Sequence, residues 1–277
     1  MIERRTLSSP VEEVLYRFKL TIEYRGTAFY GWQVQAGDSP TVQRILMMAL
    51  TALGENVSLV YGAGRTDSGV HALGQVAHVD LKRPWEPSRL REGMNAYLRD
   101  KDVAIIDCEL VPADFHARFS AVCRHYIYQM VNRPSLLALD KERAWHVRGS
   151  LDVDAMKEAA ACFVGKYDFS FFRARACQSD SPIKTIRDAG FFQRGERLFF
   201  HVSSRSFLHH QVRFMVGALK AIGEGVCDLE MLRQALDKDY LAQQQKITSL
   251  APVAPAHGLY LTQVDYAPDV KHELGWF

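Results

Sequence analysis

The order of strand-like and helix-like segments constrains the fold of this chain more than any other feature of its sequence. In the strand-like segments every second residue is apolar, as Phe18, Leu20 and Ile22 are, which predicts one buried face. In the helix-like segments apolar residues recur every three or four positions. The predicted strands span residues 16–24, 59–60, 75–81, 103–108, 124–131, 185–193, 197–203 and 259–266. The predicted helices span residues 40–53, 87–98, 153–164, 207–222 and 228–236.

Each half of the chain therefore runs roughly strand, helix, strands, helix, strand, which is the order of a split β-α-β unit. We predict an α+β fold in which two similar split β-α-β halves, ferredoxin- or RRM-like, form a mixed, mainly antiparallel sheet. The helices should lie on one side of that sheet, and the central cleft between the halves is a natural place for a site. We expect an N-terminal tail at residues 1–15, an N-terminal half at 16–115 and a C-terminal half at 116–277.

Composition is typical of a globular protein, but it does not indicate what the protein binds. The 277 residues are 48% hydrophobic, which suits two modest domains or one large one, and the net charge of +2 does not by itself indicate nucleic-acid binding. The five cysteines are widely spread and contain no CxxC pair, which favours reduced thiols in the cytoplasm over a zinc ribbon or a disulfide framework. No segment has the ~20 consecutive apolar residues that a membrane span needs.

The most informative segment is the loop YGAGRTDSGVHA at residues 61–72. Asp-Ser-Gly is a common turn sequence, so Asp67 taken alone is more often a turn residue than a catalyst. The loop does not fit the dinucleotide fingerprint, because Asp67 stands where the third glycine is needed. It does not fit a Walker A loop either, because no Gly-Lys-Ser/Thr follows.

The loop strongly resembles the GRTDAGVHA signature of the tRNA pseudouridine synthase A (TruA) family, with Ser68 in place of alanine. Further segments resemble family blocks in the same order, among them YRGTAFYGWQ at 24–33, FHARFSA at 115–121, RHYIY at 124–128 and SFLHHQVR at 206–213. The resemblance covers roughly residues 17–266. Besides Ser68, the chain departs from the family pattern at Arg25, where an acidic residue is usual, and at Arg99, where a proline is usual.

The resemblance implies an isomerase that converts uridine to pseudouridine at positions 38–40 of the tRNA anticodon stem-loop. It implies Asp67 as the catalytic carboxylate, acting as nucleophile or as base, and Arg213 as the partner that keeps this acid ionised. Tyr126 would stack on the target base, and Arg65 would hold or replace the extruded nucleotide. The family also implies a homodimer that binds tRNA, and the chemistry requires no cofactor and no metal.

Simpler interpretations of these residues stay open at this point. Tyr126 also fits a buried strand position, Arg213 an exposed helix position, and Arg65 a solvated loop. We expect the histidines at 71, 78, 209 and 210 to pack or form hydrogen bonds rather than bind metal. We expect Trp32 and the pair Phe171-Phe172 to lie in the core. Candidate phosphate contacts are Arg118, Arg124, Arg173, Arg175, Lys184 and Arg187.

Two other functions compete with the isomerase. A non-catalytic RNA-binding protein with the same fold would bind tRNA whether or not Asp67 is present. A hydrolase of the glycosidase type usually needs two carboxylates flanking the scissile bond, and Asp168 is the only other candidate acid in the motif regions. We interpret Asp168 as structural.

Overall fold

A computed structural model of the protein describes residues 14–237, 239–240 and 251–267, so the expected tail lies almost wholly outside the described residues. The strands are β1 Tyr16–Tyr24, β2 Tyr61–Gly62, β3 His71–Leu81, β4 Val103–Leu110, β5 Ala121–Asn132, β6 Trp145–Val147, β7 Gly165–Asp168, β8 Ile183–Arg194, β9 Arg197–Ser204 and β10 Leu259–Tyr266. The helices are α1 Val42–Ala52, α2 Pro87–Leu98, α3 Val153–Cys162, α4 Gln211–Gly223 and α5 Leu229–Leu236.

All ten strands join one sheet, which gives the α+β fold predicted from the sequence. Eight strands follow the order β4-β1-β3-β10-β5-β9-β8-β7, while β2 pairs with β3 and β6 pairs with β5. The pairs within each part of that order are antiparallel. Strand β10 runs parallel to β3, with Tyr260 opposite His71, and this pairing joins the first part of the sheet to the second. The prediction of a mixed, mainly antiparallel sheet is therefore confirmed.

Two hydrophobic clusters pack against this sheet. The first is built from β1, β3, α1 and α2, and the second from β5, β8, β9, α3 and α4. Strand β10 contributes residues to both clusters, because Leu261 and Val264 belong to the first cluster and Leu259 belongs to the second. We propose the division into halves at 16–115 and 116–277, with β10 as the strand that ties them together.

Two predicted helix starts are wrong by a few residues, each for a local reason. Helix α1 begins at Val42 rather than at Pro40, because Thr41 is extended and its Oγ1 accepts a hydrogen bond from the Arg44 N–H at 3.3 Å. Helix α4 begins at Gln211 rather than at 207, because His210 takes the left-handed conformation with φ 63°. A non-glycine residue at positive φ cannot continue a right-handed helix.

The predicted strand at residues 59–60 is also displaced. The pairing with β3 is made by Tyr61–Gly62 instead, and Val60 is fully buried in the first cluster. The predictions for β1, α2 and β10 agree with the observed bounds. Among the described residues, no helix has both the length and the apolar character needed to cross a membrane.

Lowering the pH from 6.5 to 4 should destabilise the fold through His78, a buried histidine on β3 whose Nδ1 accepts a hydrogen bond from the Ala117 N–H at 3.1 Å. Burial, with the nearby charges of Arg17 and His116, lowers the pKa of His78 from 6.5 to about 4. Between these values the unfolded chain binds a proton that the folded chain does not. Stability is therefore fully present above pH 6.5 and falls by up to about 1.4 kcal/mol per pH unit below it.

Urea unfolding followed across this range measures the effect. His78→Gln is the matched variant, because a glutamine amide can still accept the Ala117 N–H but does not titrate. Its unfolding free energy should depend on pH less steeply than that of the unmodified chain. Equal slopes for the two proteins would contradict the assignment to His78.

Candidate active site

The segment around Asp67 is a tight turn between β2 and β3. The Val70 N–H donates to the Asp67 carbonyl at 3.2 Å, and Gly69 has φ +82°, as the third residue of a type II turn requires. The interpretation of Asp-Ser-Gly as a turn is therefore correct. A turn of this kind leaves the Asp67 side chain free to point away from the backbone hydrogen bonds.

The segment after β1 holds this turn in place. Gly31 has φ +87°, and a Cβ at this position would lie only 2.8 Å from the Thr66 carbonyl oxygen. The Trp32 N–H donates to the same oxygen at 3.1 Å. Ser68, which departs from the family pattern, donates its hydroxyl to the Phe29 carbonyl at 3.2 Å. The departure at Ser68 therefore adds a hydrogen bond that ties the turn to this segment.

The carboxylate of Asp67 forms an ion pair with the guanidinium of Arg213 on α4. Arg213 Nη1 lies 3.2 Å from Asp67 Oδ2, while Arg213 Nε donates to the Ala254 carbonyl oxygen at 2.8 Å. The two side chains are only 15% and 20% exposed, so water screens this pair less than a surface pair. The second contact of the guanidinium fixes its plane and so fixes the side of the carboxylate that it occupies.

Two histidines also contact this carboxylate, which the sequence interpretation missed. His209 Nε2 lies 3.4 Å from Asp67 Oδ1, and His210 Nε2 lies 3.3 Å from Asp67 Oδ2. Burial lowers the pKa of His210, Asp67 opposes that shift, and Arg213 and His209 add to it. The sequence signal for these contacts is the adjacent pair His209-His210 just before Gln211. The predicted helix at 207–222 starts too early, and it therefore places His209 on a helix face rather than in the turn before α4.

Tyr126 and Arg65 occupy different positions around this turn. The Tyr126 ring meets the Phe207 ring edge to face, with centroids 5.2 Å apart, and its Oη lies 4.0 Å from where a Cβ on Gly64 would stand. Burial raises the pKa of Tyr126, and the negative charge of Asp67 adds to this. Arg65 is exposed and has no hydrogen bond or ion pair with any residue that the structure describes.

A family model described as tRNA pseudouridine synthase matches residues 20–120 and 159–267. The chain belongs to the tRNA pseudouridine synthase family. It is therefore an isomerase of the pseudouridine synthase class, as the resemblance implies.

Several curated members of the family align with nearly the whole chain, and each is named tRNA pseudouridine synthase A. The protein of Xanthobacter autotrophicus is 50% identical over 254 residues, covering 90% of this chain and 99% of the relative. The protein of Azorhizobium caulinodans is 49% identical over 92% of this chain and 96% of its own length. The protein of Agrobacterium fabrum is 48% identical over 92% of this chain and 93% of its own length.

One predicted phosphate contact in this family member is wrong. Arg124 is 8% exposed, and its guanidinium donates to the carbonyl oxygens of Ala63 at 2.7 Å, Arg118 at 2.7 Å and Arg205 at 2.6 Å. A buried cation committed to carbonyl oxygens stabilises the loop before Asp67 and does not reach a phosphate. The candidates that are exposed are Arg118, Arg175 and Arg187. Trp32 and Phe172 lie in the core, as expected, with 2% and 1% exposure, whereas Phe171 is only half-buried against the second cluster.

The ionisable groups around Asp67 also bear on metal binding and on hydrolysis. Asp67, His209 and His210 offer ligand atoms within 4.8 Å of one another. The fixed positive charge of Arg213 beside the same carboxylate opposes the binding of a cation there. Asp168, the second acid considered for a hydrolase, instead accepts a hydrogen bond from the Ser170 N–H at 2.8 Å, which is a structural role.

Proposed function

We propose that this chain converts uridine to pseudouridine at positions 38–40 of the tRNA anticodon stem-loop, with Asp67 as the catalytic carboxylate. The observation that carries the proposal is the part-buried pair between Asp67 and Arg213 on a turn that matches the family signature. In the reaction the glycosidic carbon–nitrogen bond breaks, the base turns, and a carbon–carbon bond forms to the same sugar carbon. Nothing is oxidised, and no atom is lost.

Asp67 serves the reaction in its ionised form, either as nucleophile or as base during formation of a glycal-like intermediate. The Arg213 guanidinium lies beside this carboxylate, with Nη1 3.2 Å from Oδ2. Because Arg213 also binds the Ala254 carbonyl oxygen, it can hold the carboxylate at a constant orientation through the reaction.

Tyr126 and Arg65 complete the proposed site. A base extruded from the stem-loop gains about 1–3 kcal/mol from stacking on an aromatic ring, which offsets part of the cost of unstacking. The edge of Phe207 against Tyr126 supports a fixed ring orientation for this purpose. Arg65 has no partner in the described parts of the chain, and this supports a role in holding or replacing the extruded nucleotide.

Substitutions at Tyr126 distinguish stacking from proton transfer. Burial raises the pKa of Tyr126, so its hydroxyl is a poor base at neutral pH. Tyr126→Ala should therefore reduce kcat/KM by about 5- to 150-fold, the equivalent of about 1–3 kcal/mol of lost stacking. Tyr126→Phe should keep most of the activity, because the ring remains. Steady-state kinetics on unmodified tRNA measures both, and an equal loss in the two variants would contradict stacking as the role of this residue.

We also propose that the protein acts as a homodimer in the cytoplasm. The dimer is supported by the family resemblance, and the compartment by tRNA as substrate and by the free thiols of all five cysteines. Light scattering should give a mass of about twice the 31.4 kDa of the chain.

The experiment that tests the function is incubation of the purified chain with an unmodified tRNA transcript. Pseudouridine is then mapped in the anticodon stem-loop at single-nucleotide resolution. Product should form only at uridines 38, 39 and 40, and a transcript with cytidine at these three positions should give none. Tight tRNA binding without product would favour the non-catalytic RNA-binding alternative. Release of free uracil would favour the hydrolase.

A further inference from the structure

A second cluster of reactive side chains lies on the face of β5 opposite to Tyr126. Cys123 and His125 are two positions apart on β5 and therefore point to one face, while Tyr126 points to the other. Asp265 on β10 is paired directly with Cys123 in the antiparallel register. A sulfur, an imidazole nitrogen and a carboxylate oxygen from these three residues lie within 4.8 Å of one another. The proposed isomerisation uses none of them.

We propose that Cys123, His125 and Asp265 bind a Zn²⁺ ion. Thiolate, imidazole and carboxylate are the three ligand types that zinc takes from proteins. With bonds of about 2.0–2.3 Å, a tetrahedral ion separates its ligand atoms by about 3.5 Å. Side-chain rotations that move each ligand atom by about 1 Å would therefore bring all three atoms within bonding distance of one ion. Three protein ligands leave the fourth position to a water molecule.

The surroundings of Asp265 hold its carboxylate in a suitable orientation. Gln263 Nε2 donates to Asp265 Oδ1 at 2.7 Å, which leaves Oδ2 directed at His125 Nε2, also at 2.7 Å. The Thr262 hydroxyl donates to the His125 carbonyl oxygen at 3.1 Å and fixes the backbone between the two strands. Outer hydrogen bonds of this kind orient the ligands in known metal sites.

Exposure and charge also fit a bound cation. Cys123 is 2% exposed, whereas the His125 and Asp265 side chains are 26% and 16% exposed, so an ion can enter from the His–Asp side and meet a shielded sulfur. Thiolate and carboxylate together carry two negative charges, which balance the charge of Zn²⁺.

Cobalt titration of the full-length, metal-stripped protein tests the site, because a thiolate bound to Co²⁺ gives a charge-transfer absorption that carboxylate and imidazole ligands do not. One equivalent of Co²⁺ should produce this absorption, and Zn²⁺ should abolish it by displacement. Binding at Asp67, His209 and His210 would give no such absorption, so the two clusters are distinguished. Absence of the absorption in folded protein would overturn the proposal.

Matched variants assign the ligands. Cys123→Ser and Asp265→Asn should each weaken Co²⁺ and Zn²⁺ binding by roughly 100-fold or more, and Gln263→Ala by about tenfold. Cys162→Ser, which alters a thiol on α3, should leave binding unchanged. Retention of the charge-transfer absorption in Cys123→Ser would also overturn the proposal.

Alkylation of the unmodified chain gives a test that does not depend on the folding of any variant. With Zn²⁺ at about ten times its Kd, Cys123 should react with iodoacetamide about tenfold more slowly, as mapped by mass spectrometry, while Cys162 should be unaffected. Equal reactivity of Cys123 with and without Zn²⁺ would contradict binding. Pseudouridine formation is assayed with a chelator present, so a negative result here leaves the proposed function untouched.

Discussion

Arg213→Ala should reduce the rate of pseudouridine formation at saturating tRNA by roughly 100-fold or more, because it leaves the Asp67 carboxylate without its guanidinium. A 100-fold loss of rate corresponds to about 2.7 kcal/mol of activation free energy. The pair is mostly shielded from water, with side chains 15% and 20% exposed, so water replaces the lost guanidinium poorly. Single-turnover kinetics measures the loss without interference from product release.

Two further variants on α4 separate the role of Arg213 from damage to the helix. Lys220→Ala removes another cation from the same helix, one that pairs with Glu224 at 2.6 Å and does not contact Asp67. Its rate should stay within about twofold of the unmodified chain, because a pair of this kind contributes little. Arg213→Lys should fall in between, because an ammonium keeps the charge but cannot bind Asp67 and the Ala254 carbonyl with one fixed plane. An Arg213→Ala rate equal to that of the unmodified chain would exclude the partnership.

Much of the fold follows from local patterns in the sequence. The bounds of β1 could be predicted because its apolar residues alternate from Phe18 to Tyr24 and form one buried face. In β10 the buried residues also alternate, apart from one irregularity between Leu261 and Gln263. Helix α2 could be predicted because Pro87 marks the first turn and Leu90, Met94 and Leu98 form one buried stripe. The α+β class then follows from the order of these elements.

The errors arise where a long-range contact overrides a local pattern. Arg124 looks like a surface cation in the sequence, but three carbonyl oxygens from separate segments surround it in the fold. Arg25, another departure from the family pattern, pairs with Asp102 at 2.9 Å, a residue far along the chain. Neither environment can be derived from neighbours in sequence.

The site shows the same division between local and long-range information. The family motif identifies Asp67 and Arg213 in the sequence. The residues Asp-Ser-Gly at 67–69 also predict the turn. The contacts of His209 and His210 with Asp67 depend on where α4 begins, and one left-handed residue decides that. The cluster of Cys123 and Asp265 depends on the sheet order, which pairs β5 with β10 across more than half of the second part of the chain.

Asp67→Asn should abolish pseudouridine formation, a loss of roughly 10,000-fold or more, while leaving tRNA affinity within about threefold. Asparagine keeps the shape of the side chain but can act neither as the nucleophile nor as the base. Binding should persist, because tRNA affinity depends mainly on phosphate contacts spread over many basic residues. Asp168→Asn is the matched control, since an amide oxygen can still accept the Ser170 N–H, and it should retain turnover.

The most direct test of the whole account is therefore the single-turnover rate of Asp67→Asn on unmodified tRNA, measured beside its tRNA dissociation constant. We predict no pseudouridine above background at positions 38–40, from a variant that is folded and binds tRNA normally. Pseudouridine formed by Asp67→Asn at a rate near that of the unmodified chain would contradict the assignment of this carboxylate.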